Sequence, residues 1–100
     1  MQPAQTITEI EYPESDGNPM AETELHLEWM IRVREILRWR YRGQRVYVGC
    51  DMLLYYRRNP FYHVAPDVFV TFDCDPGRRR TYKTWEENKG PDVVFEITSR

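Results

Sequence analysis

The chain has 100 residues, 41% hydrophobic and 30% charged, which indicates one small globular domain near the lower size limit for a self-sufficient core. A formal net charge of -2 argues against a globally basic nucleic-acid-binding protein, but it leaves room for a local basic patch. The N-terminus lacks the pattern of a signal peptide and no apolar run approaches the ~20 residues of a membrane span, so we expect a soluble, cytoplasmic protein without a membrane partner.

The first predicted element after a polar arm (residues 1–18) is a helix from Pro19 to Arg42, with Asn18 as N-cap and Gly43 at its end. Helical periodicity gathers an apolar stripe on one face. Its members are Leu25, Trp29, Met30, Val33, Ile36, Leu37 and Tyr41. Glu22 and His26 lie four residues apart on the same stripe, which places an acid on the face expected to be buried.

Three strands are predicted after the helix. The runs 46–56 and 64–72 flank a turn signal at Arg57-Arg58-Asn59-Pro60, which predicts a hairpin. A basic connection follows from Asp73 to Gly90, and Asp92 to Thr98 form the last strand. Residues 67–72 and 92–98 are nearly apolar on both faces, so we expect two central strands covered on both sides.

Each of these apolar elements carries one acid: Glu22 on the helix, Asp67 on the second strand and Glu96 on the last. An isolated buried carboxylate costs several kcal/mol unless it is paired or neutralised. Three such acids meeting at one place would favour a bound Mg²⁺ or Mn²⁺ ion, which takes hard oxygen ligands and activates water and phosphoryl oxygens.

Each acid also has a structural explanation. Asp67 could cap the strand start after Pro66, Glu96 could form a salt bridge with Arg32 or Lys83, and Glu22 could favour the helix dipole. His26 suits a hydrogen-bonded, partly buried histidine or, less commonly, a ligand.

The cysteines and histidines do not have the spacing of a structural zinc site. Cys50 and Cys74, with 23 residues between them, are expected to be reduced thiols in apolar surroundings, although a disulfide is possible.

The sequence resembles a known family at several longer motifs. Pro66-Asp67, followed 29 residues later by Glu96 in an apolar strand, is similar to the PD-(D/E)xK nuclease motif. The stretches YPESDGNPMAET, YVGCDMLLYY, VAPDVFVTFD and RRTYKTWEENKGPDVVFEITSR resemble the Uma family, whose members are classed as restriction endonucleases. A second Pro-Asp pair, Pro91-Asp92, lies too close to Glu96 for the usual spacing.

The resemblance implies an α+β or α/β fold with a restriction-endonuclease-like αβββαβ core and a metal-dependent site that hydrolyses DNA phosphodiesters. Asp67 and Glu96 match the metal ligands, and Glu22 matches a third catalytic acid on the first helix. The place of the motif lysine is taken by Thr98. Family members lacking it there supply a lysine from a following helix, so residues 19–100 are expected to be the N-terminal part of the domain.

Two functions remain open at this point. In the first, the chain is a Mg²⁺-dependent endonuclease domain that has full activity only with the missing lysine. In the second, it is a truncated, non-catalytic nuclease-fold module that binds nucleic acid or a protein partner. Arg78, Arg79, Arg80 and Lys83 are candidates for DNA phosphate contacts, although a basic connection can also be merely solvated. An uncovered last strand would expose apolar surface, so we expect a homo-oligomer.

Overall fold

The computed structural model describes residues 10–17 and 23–98, and over these residues the chain is an α+β protein with two helices and two three-stranded sheets. In chain order the elements are α1 (Glu24–Arg40), β1 (Val46–Cys50), β2 (Leu54–Tyr55), β3 (His63–Val64), β4 (Val68–Phe72), β5 (Tyr82–Lys83), α2 (Thr84–Glu87) and β6 (Val93–Phe95). No helix in this described part is long and apolar enough to cross a membrane.

Helix α1 is capped by Thr23, whose Oγ1 accepts a hydrogen bond from the backbone N–H of His26 at 3.0 Å. The predicted start at Asn18 and Pro19 lies outside the described residues. The helix ends at Arg40, two residues before the predicted Arg42, and Gly43 follows with a φ of 78°, which a glycine adopts at little cost.

The buried face of α1 is narrower than the predicted stripe. Met30 is buried, and Val33, Leu37 and Tyr41 pack around it against the sheet. The prediction was wrong for the stripe's outer members, which are exposed because a three-stranded sheet covers only a narrow strip of the helix. These exposed members are Leu25, Trp29 and Ile36.

The predicted hairpin is confirmed, and both of its arms bend. β1 pairs with β4 in one antiparallel sheet, and β2 pairs with β3 in the other, so each arm passes from one sheet to the next. The bends fall at residues 51–53 and 65–67 and are joined by a hydrogen bond from Asp51 N–H to the carbonyl of Asp67 at 3.2 Å. This joint places Asp67 where the chain leaves one sheet for the other.

The first sheet has the order β1-β4-β6, and its central strand β4 is buried on both faces as predicted. Val68 and Val70 face α1. Phe69 faces the opposite cluster with Tyr47 and Tyr82, and its ring occupies the space that a Cβ on the paired Gly49 would fill. A side chain at position 49 would therefore collide with the core.

Strand β6 is an edge strand, so the expectation of a second central strand was wrong. Val93, Val94 and Phe95 are 38%, 50% and 36% exposed, and within residues 10–17 and 23–98 β6 pairs with β4 alone. The apolar sequence of β6 predicted a buried strand, but its place at the end of the sheet order leaves its side chains exposed.

The basic connection from Asp73 to Gly90 is partly regular, since it contains β5 and α2. β5 runs parallel to β2 and completes the second sheet, in the order β3-β2-β5. The described part of the N-terminal arm lies over this sheet: the Tyr12 ring contacts Tyr55 and Trp85, and the Tyr55 hydroxyl donates to the carbonyl of Pro13 at 2.6 Å. Residues 10–17 of the predicted arm therefore contact the domain through Tyr12 and Pro13.

The two cysteines are not joined by a disulfide, in agreement with the expectation of thiols. Cys50 and Cys74 are both free, and Cys74 is buried. Burial raises the pKa of each thiol.

Candidate functional site

Asp67 is the best-enclosed carboxylate of the described residues and joins three parts of the fold. Its residue is 7% exposed, at the bend just before β4. Oδ1 lies 3.0 Å from Nε2 of His26 on α1, and Oδ2 accepts a hydrogen bond from the backbone N–H of Ile97 at 2.7 Å. Asp67 therefore links the helix, the hairpin and the segment after β6.

His26 is a hydrogen-bonded, buried histidine, which confirms the more ordinary of the two interpretations of its sequence position. Its side chain is 8% exposed, and the N-cap at Thr23 fixes the start of the turn that carries it. Nε2 contacts Asp67, whereas Nδ1 is buried and has no hydrogen-bond partner within residues 10–17 and 23–98. An imidazole held in this way orients the carboxylate that it contacts.

The pairing of β4 with β6 brings the backbone at Glu96 close to that at Asp67, but the Glu96 side chain is exposed whereas Asp67 is buried. The register pairs Val68 with Phe95, and the bond from Ile97 to Asp67 continues the contact past the strand end. Glu96 itself is exposed and lines a groove of about 560 Å³ with Pro66 and Val94. The prediction of a partly desolvated Glu96 was wrong, because β6 is an edge strand.

Neither proposed salt bridge of Glu96 is present. Among the ion pairs of the described residues, none joins Glu96 to Arg32 or Lys83. The Glu96 carboxylate is thus available to a ligand from the solvent side.

Glu22, the third predicted acid, lies outside the described residues. The described residues contain no group of three His, Cys, Asp or Glu side chains able to hold a metal ion. Two carboxylates still suit Mg²⁺, which often binds through one or two acids together with waters and substrate phosphates. An ionised carboxylate also has about four acceptor positions, of which Asp67 uses two.

Asp51 is a neighbour that sequence reasoning missed. It follows β1 directly, has a φ of 54°, and donates its backbone N–H to Asp67. Burial raises the pKa of the Asp51 carboxyl, the charge of Asp67 raises it further, and His26 partly offsets this. An aspartate immediately after an apolar strand, opposite a Pro-Asp pair in the same hairpin, was the signal that could have identified it.

The four predicted DNA-contacting residues separate into two locations. Arg78 and Arg79 line a pocket together with Arg34 and Arg38 of α1. Arg80 instead forms an ion pair with Glu14 at 3.4 Å, and the Lys83 ammonium lies 5.4 Å from the Tyr12 ring centroid. The structure therefore does not bring the four predicted residues together.

Comparisons with protein-family models, with curated proteins and with solved structures found no match to the chain.

Proposed function

We propose that the chain is a metal-dependent endonuclease domain of the PD-(D/E)xK type, similar to the Uma family, that acts on DNA phosphodiesters. The observation that carries the proposal is the bond from Asp67 Oδ2 to Ile97 N–H, which brings the start of β4 and the end of β6 together. The segments that carry the two motif acids, 29 residues apart in the sequence, are thereby adjacent in the fold.

In this proposal Asp67 and Glu96 hold Mg²⁺ or Mn²⁺, and Glu22 is a third catalytic acid. A bound Mg²⁺ supplies Lewis acidity toward a phosphodiester oxygen and lowers the pKa of an attacking water. The contribution of the protein is different: His26 and the Ile97 N–H fix the Asp67 carboxylate, and the exposed Glu96 faces the groove from which a substrate phosphate approaches.

The finer features of the fold belong to the same proposal. The order of α1, the bent hairpin and β6 supports the proposal of a restriction-endonuclease-like αβββ arrangement. A cytoplasmic location fits the two free cysteines, and self-association through the exposed β6 edge fits its unpaired side.

A second function, a non-catalytic module that binds nucleic acid or a protein, is favoured by one observation about the lysines. Lys83 and Lys89 both lie within the described residues. Lys89 is bound to Asp92 at 3.0 Å and to the Phe72 carbonyl at 2.8 Å, whereas Lys83 lies over the Tyr12 ring. Neither lysine is therefore held in the role of a nuclease lysine, which stabilises the negative charge of the transition state.

The two functions are separated by measuring Mn²⁺ binding and DNA cleavage with Glu96→Gln. Because Glu96 is exposed, this change should alter stability by no more than about 0.5 kcal/mol. We expect the wild-type chain to bind Mn²⁺, detected by electron paramagnetic resonance, and Glu96→Gln to weaken binding by roughly tenfold or more. Glu28→Gln, an exposed carboxylate on α1, is the matched control and should bind like wild type.

Plasmid nicking with Mn²⁺ then tests the chemistry. Nicking that disappears in Glu96→Gln and persists in Glu28→Gln supports the nuclease. Mn²⁺ binding that is equal in all three proteins, or absent from the wild type, refutes the metal site. DNA binding without metal binding or nicking favours the non-catalytic module.

A further inference from the structure

A row of arginines lies beside β1, on the opposite edge of the sheet from β6. One pocket of about 320 Å³ and another of about 540 Å³ share Arg38 as a common wall. We call their combined basic lining the arginine groove, which consists of Arg34, Arg38, Arg42, Arg45, Arg78 and Arg79. The chain as a whole has a net charge of -2, so this concentration of cations is a local feature.

The helix supplies half of the groove through its spacing. Arg34, Arg38 and Arg42 follow one another at intervals of four residues, which places them along one side of α1 and its continuation, about 6 Å apart per step. Arg38 contacts the sheet, since its Nη2 donates to the Val48 carbonyl of β1 at 3.3 Å. The side chain therefore reaches across the gap between helix and strand.

The groove remains positively charged after its ion pairs are counted. Glu35 pairs with Arg34 at 2.9 Å, and Asp73 pairs with Arg45 at 3.6 Å. Glu87 pairs with Arg79 at 3.0 Å. Among the residues that the structure describes, the six guanidinium groups thus have three carboxylate partners, which leaves cations in excess.

Arg79 is a fixed wall of the groove. Its guanidinium carbon lies 4.0 Å from the Tyr47 ring centroid, Nε pairs with Glu87, and Nη2 donates to the Asp75 carbonyl at 3.1 Å. Its Nη1 is buried and lacks an acceptor among the residues that the structure describes. An unsatisfied buried donor on a charged group is costly, and an oxyanion entering beside it would supply the missing acceptor.

Arg78 is the most available cation of the groove. It is exposed, and within the described ranges it forms no ion pair. Near the other end, Trp39 is 65% exposed with the Arg42 guanidinium 4.4 Å from its ring centroid. Cations beside an exposed indole are typical of surfaces that bind phosphates and stack bases.

We propose that the arginine groove binds the phosphate backbone of a nucleic acid and leads it toward Asp67. Guanidinium groups bind phosphate through paired N–H donors, which makes phosphate the ligand chemistry that this lining fits best. Cys50 ends β1 and lines the groove, and it pairs with Val68, the residue after Asp67. The inference rests on the proposed nuclease function for the identity of its substrate as DNA.

The test is DNA binding by the full chain in EDTA, where no metal is available and no cleavage occurs. The groove variant combines Arg34→Gln with Arg78→Gln. The matched control combines Arg57→Gln with Arg58→Gln, which removes the same charge from the exposed turn between β2 and β3. Fluorescence anisotropy with a labelled duplex is recorded at several salt concentrations.

We expect the groove variant to bind DNA on the order of tenfold more weakly and to lose about two units from the slope of log K against log salt. The control should retain the wild-type affinity and slope. Equal losses in both variants, or no DNA binding by the wild type, overturn the proposal. If millimolar inorganic phosphate competes as effectively as DNA does, counted per phosphate group, the groove is a small-anion site. That result would overturn the nucleic-acid assignment.

The result is separable from the metal site. If the groove variant binds DNA like wild type while Glu96→Gln abolishes Mn²⁺ binding, the groove is refuted and the nuclease proposal stands. If Glu96→Gln leaves Mn²⁺ binding unchanged while the groove variant loses DNA, the nuclease proposal fails and the groove stands as a nucleic-acid-binding surface.

Discussion

Replacement of His26 by leucine should destabilise the fold through Asp67. Leucine has a similar size and suits a buried position one turn before Met30 on α1, so the main loss is the contact of 3.0 Å between Nε2 and Asp67 Oδ1. Asp67 then remains buried with one of its two side-chain hydrogen bonds.

The size of the effect follows from burial and charge. The two side chains are 8% and 9% exposed, so solvent can neither screen the contact nor replace it without local opening. A hydrogen bond to a charged group contributes about 1.5–3 kcal/mol, and removing one partner of a buried pair costs about 3–5 kcal/mol when the other is left alone. Because Asp67 keeps its bond to Ile97, we expect a loss of about 2–3 kcal/mol.

The assay is urea unfolding of His26→Leu, Asp67→Asn and the double variant, followed by circular dichroism. A loss of this size lowers the midpoint by roughly 1–2 M urea for an m-value typical of a small domain. The double-mutant cycle should give a coupling free energy of about 1–3 kcal/mol. The same cycle on His63 and Asp16 is the control: these partners lie 3.4 Å apart with side chains 22% and 29% exposed, and their coupling should stay below about 1 kcal/mol.

Additive losses in the His26 cycle, within about 0.5 kcal/mol, would refute the reasoning. They would mean that the pair is not coupled in solution and that Asp67 is held by the backbone alone.

Three further predictions concern the elements around this pair. Gly49→Ala should lose about 1–3 kcal/mol in urea unfolding because the new methyl group meets the Phe69 ring, and Phe69→Leu should restore part of that loss in the double variant. Thr23→Ala should lose about 1 kcal/mol of stability because the N–H of His26 loses its capping acceptor, whereas Thr23→Ser should stay close to wild type. Hydrogen bonds from the Phe72 backbone N–H and the Lys89 ammonium lower the pKa of Asp92. The ionised Asp92 therefore stabilises the fold above its unfolded pKa of about 3.9, and this stabilisation is lost as the pH falls through the lower folded pKa. The urea midpoint of the wild type should therefore fall more steeply than that of Asp92→Asn between about pH 5 and pH 2.

These predictions can fail in distinct ways. A Gly49→Ala variant as stable as wild type would mean that the Phe69 ring can move aside at no cost. Equal losses in Thr23→Ala and Thr23→Ser would place the helix start elsewhere. Parallel pH curves for wild type and Asp92→Asn would show that Asp92 has the same pKa in the folded and unfolded chain.

Hairpin and helix were predictable because their signals are local. The turn at Arg57 to Pro60 and the alternation around it predicted both arms, and the periodicity around Met30 predicted the centre of the buried face of α1. The bends at residues 51–53 and 65–67 have no comparable local signal, since they depend on packing between two sheets.

The candidate site was predictable in part. Asp67 was predicted to be a buried site residue because it is an acid within an apolar run, and its burial is confirmed. The exposure of Glu96 was not predictable, because an apolar strand reads the same at the centre of a sheet and at its edge. Asp51 was missed because its position matters only once the hairpin is folded against Asp67.

By itself, the sequence determined the hairpin and the helix, along with two acids on different strands, because local periodicity and turn chemistry act over a few residues. Only the tertiary structure decided which strand lies at the edge, that His26 pairs with Asp67, and that the arginines of α1 meet those of a distant loop. Such relations depend on sheet order and helix placement. Sheet order and helix placement follow from the free energy of the whole packed domain, and local sequence patterns carry no information about it.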